Sequence, residues 1–117
     1  MKLMATMYGF NYRSLYVTPK WGVIGLMKSL TIELGSYNVK VNAICPRSVE
    51  GDRLEKVIEA EVKSKGMTRD KIYQAYTKGT SMKKLIHPND IADMALFLSS
   101  PKSRLVSGQV IAVDGNT

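Results

Sequence analysis

Two short β-branched segments limit how this chain can fold: Val39-Lys40-Val41-Asn42-Ala43-Ile44-Cys45 and Gln109-Val110-Ile111-Ala112-Val113. Between them lie only stretches with helical spacing and turn signals. Strands joined through helices run parallel and cross over right-handedly, and a parallel sheet needs cover on both faces. Two parallel strands alone make a poor sheet. The order helix, strand, helical excursion, helix, strand therefore describes the edge of a larger sheet. The remaining strands of such a sheet are not in this sequence.

The helices can be placed from spacing and punctuation. Residues 14–35 form the first, with Val23, Ile24, Met27, Leu30 and Leu34 recurring on one face. Ser14 is its expected N-cap and Gly35 its left-handed end. Pro19 is tolerated near the helix start, where few N–H groups have intrahelical partners. Residues 52–65 and 69–78 are short amphipathic helices separated by Gly66, within an excursion over 50–84. His87-Pro88-Asn89-Asp90 opens a last helix that runs through Ile91, Met94, Ala95, Phe97 and Leu98 to Ser99. There His87 reads as a helix-start residue and not a base, and Asp90 and Asp93 suit a first turn.

Composition excludes several classes. With 117 residues the chain is at most one domain, read here as a single partial domain over 1–117. Its lone Cys45 cannot form an internal disulfide, so a reducing cytoplasm is the expected location and a small buried hydrophobe the expected role. One histidine and one cysteine are too few for structural zinc, so no metal site is expected. No apolar run approaches the ~20 residues that span a bilayer. The opening MKLMATMYGF has too short an apolar stretch for a signal peptide and reads as mature chain, with Met1, Met4 and Met7 packing weakly. Net charge is +7, split as +4 over 1–51, +4 over 52–84 and −1 over 85–117. The charges are interleaved, without the like-charge block of a nucleic-acid tail, so a solvated helical surface is favoured over a nucleic-acid patch.

Chemistry enters with Tyr16 and Lys20, four residues apart and so one turn apart on a helix face. A fixed ammonium stabilises a neighbouring phenolate and suits it to proton transfer. By spacing alone, a surface tyrosine beside a snorkelling lysine reads as well. Trp21 and Tyr37 read as packing or interface residues.

The run YVTPKWGVIGLMKSLTIELGSYNVKVNAICP, the HPNDIADMALFLSSP helix and SGQVIAVDG stand in an order and spacing that resemble the C-terminal half of the short-chain dehydrogenase/reductase family. The pieces are Y-x-x-x-K, L-x-x-E-L, V-N-A-x-x-P and S-G-Q-x-x-x-V-D-G, and the likeness covers about residues 12–115. The resemblance implies an α/β fold, the C-terminal part of a Rossmann-like doubly wound parallel sheet with its N-terminal βαβ units absent, and NAD(P)-dependent hydride transfer between a carbonyl and an alcohol. Tyr16 matches the family's acid/base. Lys20 matches the lysine that holds the nicotinamide ribose. Pro46, Ser48 and Val49 match the loop at the nicotinamide amide. Residues 50–84 match the substrate-binding excursion, and the first helix matches one that packs against a second subunit in many members. Ser107-Gly108-Gln109 leads into the final strand, which Asp114-Gly115 follows.

Departures from the family pattern are informative. Members are about twice this length, and their first half carries a glycine-rich phosphate loop that has no counterpart here. The family's serine lies about thirteen residues before the tyrosine, where this chain has Leu3; Thr6 is the nearest hydroxyl alternative. Losing that donor removes on the order of 3 kcal/mol of oxyanion stabilisation, about a hundredfold in rate. Arg47 replaces the glycine usual after Pro46, and Pro19 replaces a small residue before Lys20. The expectation is a family oxidoreductase that is truncated and inactive as these residues alone, with NAD or NADP as the implied cofactor. A non-catalytic interaction module is the alternative. Its expected partner is its own copy through helix 14–35, or an absent N-terminal half.

Overall fold

The computed structural model describes residues 2–4, 8, 9 and 11–116. Three strands form one parallel sheet in the order β1(Lys2–Met4), β2(Asn42–Pro46), β3(Val110–Val113). Lys2 pairs with Asn42 and Met4 with Ile44; on the other side Ala43 pairs with Val110 and Pro46 with Val113. The sequence reading found only two strands, so β1 is a correction. Lys2, Leu3 and Met4 include no β-branched residue, and pairing with β2 overrides their weak strand preference. The second strand is also shifted, starting at Asn42 rather than Val39.

Central position explains the composition of β2. Val41, Asn42, Ala43, Ile44 and Cys45 are all buried, which a strand covered on both faces requires. Helix α1(Ser14–Leu34) packs on β1 and β2. Its Ile24 and Met27 join Val41, Ala43 and Cys45 in one core cluster, flanked by Val23, Leu30, Leu34 and Val110. Asn42 and Ile44 alternate to the opposite face, and α4(Pro88–Ser99) also packs on this strand. The Asn42 amide is satisfied there: its Nδ2 donates to the Val106 carbonyl at 2.9 Å, and its Oδ1 accepts from Gln109 N at 3.1 Å.

The S-G-Q turn is fixed by this same strand. The Ser107 hydroxyl accepts from Val41 N at 3.1 Å, and Gly108 N donates to the Val41 carbonyl at 2.7 Å. Lys28 on α1 donates to the Gly108 carbonyl. Gly108 has φ of 71°, and a Cβ there would stand 3.0 Å from Thr31 Cγ2. A left-handed backbone and a crowded neighbour both demand glycine at this point.

Helix ends differ from expectation in three places. Ser14 lies inside α1, and Arg13 precedes the helix without a side-chain cap. Gly35 stays right-handed and begins a 3-10 turn; the left-handed residue is Asn38, with φ of 59°. Asp93 sits beyond the first turn of α4, where Asp90 alone closes a capping box on His87 N at 2.8 Å. His87 is that helix's N-cap, its Nδ1 accepting from Asn89 N at 3.1 Å. Residues 52–65 and 69–78 are helical as expected, forming α2(Asp52–Lys65) and α3(Arg69–Lys78). Gly66 ends α2 in the left-handed region. Met1, Thr6 and Met7, and the side chain of Met4, lie outside what is described.

Candidate active site

The sheet's C-terminal edge collects the residues with chemistry. Strand β1 ends at Met4 and is followed by α1, so the first turns of α1 stand at that edge, as do Pro46 and the residues after it. In open α/β sheets this is where ligands bind. Tyr16 and Lys20 lie on one face of α1, with the Lys20 ammonium 5.6 Å from the centroid of the Tyr16 ring. Tyr16 is 47% exposed and open to a ligand, while Lys20 is half-buried. Tyr16 N donates to the Arg13 carbonyl, which places Tyr16 in the first turn of the helix.

Pro46 is the last residue of β2. Ser48 and Val49 follow at the neck of the excursion, where Ile86 N donates to the Ser48 carbonyl at 3.0 Å and Glu50 N to the Ile86 carbonyl at 2.8 Å. Val49 and Ile86 form a parallel bridge between these two bonds. The Ser48 and Val49 side chains line an open cleft of 560 Å³, together with Asn11, Arg13, Arg47, Arg53, Leu54, Val57 and Tyr76. Thus Ser48 and Val49 share one cleft, and Tyr16 and Lys20 share one face of the helix whose N-cap residue, Arg13, also lines that cleft.

A second group at this edge was not visible as a unit in the sequence. The Arg47 guanidinium lies 5.7 Å from the centroid of the Tyr8 ring. The Tyr8 hydroxyl donates to Asp114 Oδ2, and Asn116 N donates to Asp114 Oδ1 at 2.9 Å. Arg47 also reaches the end of α3, with Nη2 2.9 Å from where a Gly79 Cβ would stand. Tyr8, Arg47 and Asp114 come from three separate segments, so no local spacing could announce them. In the sequence Arg47 stands out only as the residue that replaces a glycine after Pro46.

Within the excursion, Ile58 and Ile72 are fully buried and join α2 to α3. The Tyr76 hydroxyl donates to Glu61 Oε1 at 2.9 Å, and Lys65 pairs with the other oxygen at 3.1 Å. Glu61 is held below its ordinary value, first by the Tyr76 hydrogen bond and then by Lys65. Tyr76 is pushed up by burial and by that same carboxylate. Arg69 pairs with Glu55.

Comparison with known proteins decides the family. The family model described as enoyl-(acyl carrier protein) reductase matches residues 1–115. This chain belongs to the short-chain dehydrogenase/reductase family. It is 31% identical over 105 residues to D-beta-hydroxybutyrate dehydrogenase of Rhizobium meliloti, covering 89% of this chain and 41% of the relative. It is 36% identical over 100 residues to 3-oxoacyl-[acyl-carrier-protein] reductase of Chlamydia muridarum, covering 86% of this chain and 36% of the relative. The structure of L-sorbose reductase from Gluconobacter frateurii, solved with NADPH and L-sorbose, superposes with a TM-score of 0.90 at 22% identity. That match covers 98% of this chain and 45% of the other. The chain spans less than half the length of the relatives it matches, and its sheet is the C-terminal part of their Rossmann fold. Among the described residues, no helix is long and apolar enough to cross a membrane.

Proposed function

We propose that this chain is the catalytic and substrate-binding half of an NAD(P)-dependent oxidoreductase acting on a carbonyl or alcohol, with Tyr16 as its acid/base. The observation that carries this reading is the Tyr16–Lys20 pair standing at the C-terminal edge of a family sheet. A bound nicotinamide cofactor supplies or accepts the hydride. The residues here fit the nicotinamide end of such a group: an ammonium beside a phenol, and Ser48 and Val49 in a cleft just beyond Pro46. They do not fit its pyrophosphate, since the 117 residues contain no glycine-rich loop ahead of a helix. Tyr16 donates its phenolic proton to the substrate oxygen as negative charge develops there, and Lys20 stabilises the phenolate left behind. Leu3, in β1 at the position of the family's serine, offers no second donor. A cytoplasmic location belongs to the same reading, supported by the lone, buried Cys45.

Two measurements test the proposal. Titration of the 117-residue chain with NADH and NADPH is expected to give no saturable heat, and micromolar binding would overturn the assignment of the phosphate site to a separate half. Fused behind the N-terminal half of a solved family reductase, the chain is expected to oxidise NAD(P)H with a small carbonyl substrate. Tyr16→Phe should then lower kcat about a hundredfold or more; an unchanged rate refutes the role of Tyr16.

The second reading is an interaction module, favoured by the outward side of α1. Leu15, Trp21, Leu26 and Ile32 are exposed there, and Gly22 and Gly25 leave open space between them. Self-association through this side is compatible with catalysis and is tested separately below.

A further inference from the structure

The cleft beside α1 has an unusual charge distribution. Three of its lining residues are arginines, Arg13, Arg47 and Arg53, and none is a carboxylate. Glu61 accepts from the lining Tyr76 hydroxyl and pairs with Lys65, Glu55 pairs with Arg69, and the exposed Glu50 and Asp52 adjoin Val49 and Arg53 in the chain. Arg13 and Arg53 are exposed, and no salt bridge to either guanidinium forms among the described residues. Arg47 is half-buried and lies over the Tyr8 ring, which Asp114 fixes through the phenol hydroxyl. Like charges gathered in one concavity repel each other and favour an anionic occupant. Guanidinium groups bind carboxylates in a bidentate, planar geometry, so the chemistry suits that anion.

The rest of the lining limits the occupant further. Val49, Leu54 and Val57 give the cleft an apolar wall, and its 560 Å³ is in the range of small-molecule sites. Four of the nine lining residues, Arg53, Leu54, Val57 and Tyr76, belong to the excursion formed by α2 and α3. Arg13 is one helical turn before Tyr16, whose amide bonds its carbonyl. The anion site therefore borders the proposed proton donor on one side and the substrate excursion on the other.

We propose that this cleft selects a substrate carrying a carboxylate, so that the reaction class is reduction of an oxoacid or oxidation of a hydroxyacid. This deepens the functional reading above and rests on it for the word substrate, but the anion site is tested without cofactor or turnover. The carboxylate is held by the arginines that line the cleft, Arg13, Arg47 and Arg53. The apolar body of the molecule lies on Leu54 and Val57, leaving Ser48 and Val49 to the nicotinamide.

The test is a titration of the 15N-labelled 117-residue chain, reading the arginine side-chain resonances by NMR. The probes are levulinate, its uncharged relative 2-pentanone, and inorganic phosphate. Levulinate is expected to shift the Arg13, Arg47 and Arg53 signals saturably, and 2-pentanone to leave them unmoved. Arg53→Gln, on an exposed helix position, should weaken levulinate about tenfold, and Arg104→Gln, outside the cleft, should not. Arg47→Gln serves as a second variant, with its amide spectrum checked for folding. Equal shifts with 2-pentanone, or undiminished levulinate binding in Arg53→Gln, overturn the proposal. Tighter binding of phosphate than of levulinate overturns it too, by assigning the cleft to a phosphate group. None of these results alters the expectation for Tyr16→Phe, so the two readings fail separately.

Discussion

At the scale of single residues, polar groups in this chain act by satisfying backbone from a distance. Lys40 is the clearest case. Its ammonium donates to the carbonyls of Leu98 at 3.0 Å, Ser100 at 3.4 Å and Ser103 at 3.0 Å, and to the Ser103 hydroxyl at 2.8 Å. It thus neutralises the C-terminal end of α4, where unpaired carbonyls and the helix dipole attract a cation. Lys40→Met is expected to lower stability by about 2 kcal/mol, measured as a shift in the urea midpoint. Glu61 gives a pH dependence whose sign is fixed by its lowered value. The folded chain favours the carboxylate, so its contribution is present above the ordinary carboxylate value of 4.5 and fades as pH falls through the lowered one. Tyr76→Phe removes the main cause of that lowering. Its stability deficit relative to the parent should shrink as unfolding is repeated at successively lower pH below 4.5.

Among the elements, legibility in the sequence followed how local each signal is. The helices α2 and α3 were readable because Gly66 ends one, and α4 because His87 and Asp90 make a reciprocal cap within four residues. Strand β1 was hidden, since Lys2–Met4 becomes a strand only by pairing with β2. The end of α1 was misplaced because Gly35 and Asn38 both tolerate a left-handed turn, and the chain uses the second. For the site, helical spacing put Tyr16 and Lys20 on one face, and only the family resemblance gave that pair its expected chemistry. The arginine cleft was not, because Arg13, Arg47 and Arg53 converge only through the crossover and the neck. Packing between α1 and β2 forms the core cluster of Ile24, Met27, Val41, Ala43 and Cys45. Met27 is fully buried there, so Met27→Ala should cost about 2–5 kcal/mol, read from thermal or urea unfolding. Gly108→Ala should also destabilise the fold, through its positive φ and its contact with Thr31.

For the whole molecule, the sheet has β1 at one edge and β3 at the other, and α1 carries apolar side chains outward. Ile32 is 83% exposed and Leu15 92%, more than an isolated helix surface gains from. Sedimentation equilibrium of the 117-residue chain is expected to show concentration-dependent self-association, and Ile32→Glu should shift it towards monomer without changing the circular dichroism spectrum. A monomer at all concentrations counts against α1 as an interface between copies.

The neck of the excursion has a consequence for how such a chain diversifies. Its outgoing and returning strands meet at Ser48, Glu50 and Ile86, where two backbone hydrogen bonds bring the ends together whatever lies between. Closing a longer or shorter loop across a fixed gate changes the entropy by only about 0.6 kcal/mol per doubling of length. The segment from 51 to 78, ahead of the Ser81 and Met82 amides that bond Asn116 and Gly115, is therefore a cassette. It can be lengthened, shortened or exchanged with little effect on the sheet beneath, and each exchange rewrites one wall of the cleft while Tyr16 and Lys20 stay where they are.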